Sequence, residues 1–271
     1  MKSDSLSYSR RKVLTIGIAG ASLALGGCAT PREPKEHFVL VHGQWHGSWC
    51  WRKVVPMLEA QGHRVTALDL PGRGGNVNDL AKLTPADYVA AVTQVLDAAP
   101  EPVVLVGHSL GGGTVSLAGE ARPDKIKRLV YLTAFLVPPG KSMGSIAASD
   151  TQALTSKAVR RDAQTGVSSL DPAFVREVFY QDCSDDDVAF ATRMVTAESG
   201  AMGRAPIVLT PERYGRIKRT YIECLQDRAI SLSVQRSMVA AMPCERVITL
   251  NTSHSPFFSN PAGVVQALTS S

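Results

Sequence analysis

The sequence lacks the features that mark several common protein classes. Its five cysteines include no Cys-x-x-Cys pair and no Cys/His spacing suited to a metal, which argues against a structural zinc site and predicts no metal ligands. There is no internal repeat and no low-complexity tract, which argues against a repeat architecture, and the composition does not suit a disordered protein. The apolar stretch Thr15–Gly27 falls short of the roughly 20 residues that a membrane-spanning helix needs. Charged residues make up only 20% and hydrophobic ones 44% of 271, a balance for one large globular α/β domain with room for an inserted cap.

The chain begins with what reads as a leader. Ser9-Arg10-Arg11-Lys12-Val13-Leu14 is a twin-arginine pattern, and Thr15–Gly27 has the length of an export-signal core. The stretch ends in Leu25-Gly26-Gly27-Cys28, which resembles a bacterial lipobox; an ordinary signal peptide with an incidental cysteine is the plainer alternative. These features predict a lipoprotein-type signal over 1–27, lipidation at Cys28, a polar tether over 28–36, and an exported chain that is periplasmic or membrane-anchored. Four cations against Asp4 give the leader +3, so the formal +5 falls to +2 without it, and no nucleic-acid partner is implied. Cys50, Cys183, Cys224 and Cys244 remain, with three possible full pairings. Cys50, between Trp49 and Trp51, reads as a packed free thiol. Oligomeric state is left open.

From His37 onward, short apolar runs alternate with helical spacing. His37–Val41, Arg64–Leu70, Pro102–Val106 and Arg128–Phe135 read as strands, and Trp51–Gln61, Pro85–Ala98 and Gly111–Ala121 as helices. That order predicts a mostly parallel sheet with helices on both faces. Over about 137–214 the pattern breaks into helix-like pieces, Pro172–Tyr180 and Asp185–Thr196 among them, with no convincing strand. This predicts a helical cap inserted in the 37–271 domain. Strands then resume at Arg219–Leu225 and Arg246–Leu250, with helices near Val234–Ala241 and Pro261–Leu268.

The chemistry centres on Gly107-His108-Ser109-Leu110-Gly111. The pattern G-x-S-x-G alone is weak, but here it follows the apolar run Val103–Val106 and opens a glycine-rich helix, the strand–turn–helix context of a nucleophile elbow. A serine hydroxyl needs a base, and His254, after the last strand, is the only one of six histidines downstream of Ser109. The base needs an acid to hold its tautomer. Asp227, just past Arg219–Leu225, fits that role, with Glu223 and Asp185–Asp187 as rivals. An oxyanion needs two N–H donors, predicted at Leu110 and, in the loop after the first strand, at Gln44. Trp45, Trp49, Phe135, Phe257 and Phe258 are candidates to line an apolar pocket.

Phe38-Val39-Leu40-Val41-His42-Gly43, Trp49 with Trp51, Val65–Leu70 and Gly107–Gly112 together resemble the plant methylesterase and hydroxynitrile lyase family of α/β-hydrolases. Tyr221-Ile222-Glu223-Cys224 and Ser253-His254-Ser255-Pro256 resemble the bacterial carboxylesterases of that group, some of which hydrolyse pyrethroid esters. The resemblance implies an α/β-hydrolase fold with a helical cap, a Ser109–His254–Asp227 triad, a small-molecule ester substrate and no cofactor. Lyases of the family place a threonine after the first-strand histidine and a lysine after the catalytic one. Gly43 and Ser255 stand there instead, which favours a carboxylesterase over cyanohydrin cleavage. A non-catalytic binding protein on the same scaffold is the remaining alternative.

Overall fold

A computed structural model describes residues 35–73 and 77–270; the leader, Cys28 and most of the tether lie outside the described residues. Six parallel strands form the sheet: β1 (His37–Val41), β2 (Arg64–Leu68), β3 (Val103–His108), β4 (Ile126–Leu132), β7 (Arg219–Cys224) and β8 (Arg246–Leu250), in the order β2-β1-β3-β4-β7-β8. The strands read as continuous apolar runs because both faces are covered. Phe38, Leu40, Val104 and Val106 point into one core with Val54 and Leu58 of α1 (Val54–Ala60), whereas Val39, Val41, Val103 and Leu105 point into the other.

The second core is completed by Val92 and Leu96 of α3 (Pro85–Ala98) and by Val115 and Ala118 of α4 (Gly111–Ala121); α2 (Val77–Lys82) precedes them. Thr84 and Asp87 form a capping box at the start of α3, with Pro85 in its first turn, so this helix begins where the sequence says it should. The chain leaves β1 toward β2 and returns across it to β3, so strand order reverses between β1 and β3. Ligands of open α/β sheets bind at such a switch point, beyond the carboxyl ends of the strands.

Between β4 and β7 the chain builds α5 (Met143–Ser149), α6 (Thr155–Ala158), α7 (Pro172–Phe179), α8 (Asp185–Met194) and α9 (Ala201–Arg204). The expected strand-free cap needs correcting. It carries an antiparallel pair, β5 (Val159–Arg161) with β6 (Ser168–Leu170), three residues each and closed by a turn at Asp162–Gly166. After β7 come α10 (Leu232–Ala241) and, past β8, α11 (Pro256–Ser259) and α12 (Pro261–Thr269).

The tightest joint in this frame is at the start of α4. A Cβ on Gly111 would stand 2.6 Å from the His42 carbonyl oxygen and 3.1 Å from that of Val41, both backbone atoms at the end of β1. Gly111→Ala therefore has to push helix and strand apart. The expected cost is about 1–3 kcal/mol, which calorimetry would read as a melting point lower by about 2–4 °C per kcal/mol. An unchanged melting point would contradict the contact.

Candidate active site

Ser109 sits between β3 and α4 with φ +52°, a left-handed backbone that a residue with a Cβ rarely adopts. The turn is held in place by its own backbone: the Ser109 carbonyl accepts from the N–H groups of Gly112 and Phe135, each at 3.0 Å. Its residue is 8% exposed and lines a cavity of about 500 Å3 beneath the cap. The amino end of α4 points toward this serine, so helix dipole and free N–H groups both favour negative charge there.

Asp227 and His254 come together from the ends of β7 and β8. Asp227 Oδ2 stands 2.7 Å from His254 Nδ1, both side chains fully enclosed. The carboxylate is saturated: Oδ1 accepts from the Ala229 N–H at 2.7 Å and the Ile230 N–H at 2.9 Å, and Oδ2 also accepts from Thr133 Oγ1. Thr133 is a residue that sequence reasoning missed. It lies just past β4 at φ +38°, and nothing in its sequence neighbourhood signals that role. His254 is fixed from its other sides as well, its carbonyl accepting from His108 Nε2 at 2.9 Å and its ring meeting Phe179 edge-on.

Of the rival acids, Asp186 is exposed and the other three are engaged elsewhere. Glu223 is ion-paired with Arg236 and accepts from Thr249, and Asp187 is paired with Lys53. Asp185 is exposed and paired with Arg176.

The loop after β1 closes the site from the other side. A Cβ on Gly43 would lie 2.7 Å from Ser109 Cβ, so the missing side chain permits this approach. Gln44 and Leu110 both line the cavity, and neither of their backbone N–H groups donates to another described residue. Cap and loop are tied together, with Gln44 Nε2 and Trp45 Nε1 both donating to Ser168 Oγ, at 3.2 and 3.1 Å. Of the five aromatic candidates, Trp45 and Phe135 line the cavity. Trp49, Phe257 and Phe258 do not; they pack with Phe190 and Tyr180 in the core behind it. Cys50, Cys183, Cys224 and Cys244 are all free thiols. Among the described residues no group of three His, Cys, Asp or Glu side chains is arranged to hold a metal ion.

Three further histidines are buried here, each locked in one tautomer by a backbone carbonyl. His42 Nδ1 donates to Gly43, His46 Nδ1 to Gln44 and His108 Nε2 to His254. Burial pulls their pKa values down, to about 4 for His42, about 3 for His46, and well below the ordinary value for His108. The sign follows from linkage. Below about pH 6.5 the unfolded chain takes up protons that these folded histidines refuse, so stability falls as pH drops toward 4. Glu198, whose buried carboxyl is pushed upward, acts in the opposite sense but is a single group. Urea unfolding at pH 7.5, 6.5 and 5.5 should show stability steepening downward, by up to about 1.4 kcal/mol per pH unit for each proton taken up. A flat profile would contradict it.

A serine at a strained turn after the central strand, on six parallel strands with helices on both faces, defines the α/β-hydrolase class. The chain belongs to the alpha/beta hydrolase family, whose model matches residues 38–267. Within it the relatives form a methylesterase-like group. The chain is 34% identical over 248 residues to a putative methylesterase 11, chloroplastic, of Arabidopsis thaliana, covering 86% of this chain and 63% of that protein. It is 38% identical to salicylic acid-binding protein 2 of Nicotiana tabacum, covering 74% and 83%. A crystal structure of a pyrethroid hydrolase from Sphingobium faniae superposes with a TM-score of 0.78 at 30% identity, covering 88% of this chain and 97% of that one. The family, the methylesterase relatives and the pyrethroid hydrolase likeness together make this chain a hydrolase.

These relatives correct one expectation. An exported, periplasmic or membrane-anchored chain lipidated at Cys28 is at odds with kinship to plant methylesterases, one of them named as chloroplastic.

Proposed function

We propose that the chain is a serine carboxylesterase that hydrolyses small-to-medium esters with apolar or aryl groups. The observation that carries this reading is Ser109 itself, held at φ +52° at the strand–helix turn and opening onto the 500 Å3 cavity. In the proposed cycle His254 Nε2, the ring nitrogen not engaged by Asp227, takes the Ser109 proton as Oγ attacks the ester carbonyl. The N–H groups of Gln44 and Leu110 hold the oxyanion. His254 passes its proton to the departing alcohol, leaving an acyl-serine. Water then gives a proton to His254, attacks the acyl carbon, and Ser109 is reprotonated as the acid leaves. Asp227 keeps Nδ1 protonated throughout and stabilises the imidazolium.

The cavity size suits a ligand of modest dimensions. The methylesterase names of the relatives support an ester as substrate. Trp45, Phe135, Phe179 and Ile230 in the lining support an apolar portion in that ester.

The direct test is a fluorophosphonate label followed by peptide mass spectrometry, run beside p-nitrophenyl acetate hydrolysis and cyanide release from mandelonitrile. One label on Ser109 with ester turnover is expected. Label elsewhere, no label, or cyanide release matching ester turnover would overturn the reading.

A further inference from the structure

The Ser109 cavity adjoins a smaller chamber of about 120 Å3 that shares the walls formed by Gln44, Leu110, Phe135 and Arg161. The linings of the two spaces contain no aspartate or glutamate, and their only charged groups are Arg161, at the end of β5, and Arg204, at the end of α9. Three other cations of the cap are neutralised: Lys157 pairs with Glu177 at 2.7 Å, Arg160 with Asp171 at 2.8 Å, and Arg176 with Asp185, while Lys141 and Arg193, which line neither space, are also without an acidic partner among the described residues. Arg161 and Arg204 have no acidic partner among the described residues.

Arg204 is also seated. A Cβ on Gly166 would stand 2.5 Å from its Nη1, and one on Gly200 would collide with the same nitrogen, so two missing side chains leave a slot for the guanidinium. A guanidinium presents several N–H donors in a fixed plane suited to a carboxylate. Two of them at the edge of an otherwise uncharged chamber attract an anion that the apolar walls alone would repel.

We propose that Arg161 and Arg204 form an anion subsite, and that the preferred substrates are esters carrying a second, negatively charged carboxylate, such as alkyl half-esters of dicarboxylic acids. This deepens the esterase reading and rests on it. The scissile ester lies at Ser109 while the distant carboxylate meets the two guanidinium groups. A neutral ester of equal length fills the same apolar walls but forfeits the charge-assisted hydrogen bonds.

The test compares kcat/KM for the monomethyl esters of succinate through suberate with those of neutral methyl esters of matching chain length. At one length the half-ester is expected to be favoured about tenfold or more in the unmodified protein. In the Arg161→Gln/Arg204→Gln double variant the ratio of half-ester to neutral ester should fall by about that factor, mainly through KM, with Arg161→Lys retaining part of it. No preference at any length, or a preference that survives the double variant, would overturn the subsite. Calorimetric titration of the Ser109→Ala protein with the half-esters reads binding without turnover. If no ester is hydrolysed, the esterase reading fails, while salt-sensitive binding lost in the arginine variants still supports the subsite, and its absence overturns it.

Discussion

Ser109→Ala is expected to lower the rate of p-nitrophenyl acetate hydrolysis by about 10^5–10^6-fold, the scale seen when a serine nucleophile is removed from an intact catalytic group. The backbone bonds that hold the turn, from Gly112 and Phe135 to the Ser109 carbonyl, do not involve the hydroxyl. Alanine has the same Cβ and so meets the same strain at φ +52°. Thermal melting should therefore stay close to that of the unmodified protein, which separates lost chemistry from lost fold. The contribution of the two N–H donors proposed at Gln44 and Leu110 should survive and keep the variant above the uncatalysed rate. A loss smaller than tenfold would mean that another group attacks the ester, and the assignment of Ser109 as nucleophile would be abandoned.

Some of this architecture is legible in the sequence because local chemistry and global fold agree there. β1 and β8 fall where apolar runs predict them, and α3 starts at Pro85 because Thr84 and Asp87 cap it. β4 is read three residues too long at its end. Thr133, Ala134 and Phe135 are as buried as strand residues, but the chain leaves the ladder there: Thr133 turns to positive φ and the Phe135 N–H goes to the Ser109 carbonyl. The β5–β6 pair has no sequence signature, since Val159–Arg161 and Ser168–Leu170 are each too short for an alternation to show. For the site, chain order brings Ser109, Asp227 and His254 into view. Thr133 and the N–H groups of Ala229 and Ile230 act through where the backbone places them, which residue type does not reveal. The aromatic residues divide for a related reason. Apolar character says that Trp49, Phe257 and Phe258 are buried, but only the packing says that they face the core and Trp45 and Phe135 the cavity.

Asp227→Asn is expected to cut kcat by about 10^4-fold while leaving the fold intact. An asparagine carries one accepting oxygen and one donating nitrogen, so its orientation decides the outcome. The position now held by Oδ1 faces two backbone N–H donors, Ala229 at 2.7 Å and Ile230 at 2.9 Å, and an amide nitrogen there would set donor against donor twice. The oxygen must occupy that side, and the NH2 group must face His254 Nδ1, 2.7 Å from the present Oδ2. Nδ1 then has to accept, and the ring proton moves to Nε2. A histidine protonated at Nε2 cannot take the Ser109 proton, so labelling by a fluorophosphonate should slow together with ester turnover. Thr133 Oγ1, which now donates to Oδ2, can only accept from the second amide hydrogen, so its own hydroxyl proton loses its partner, a cost of about 1–3 kcal/mol to stability. Turnover within tenfold of the unmodified protein would mean that the aspartate does not set the histidine tautomer, and the proposed role of the Asp227–His254 pair would have to be given up.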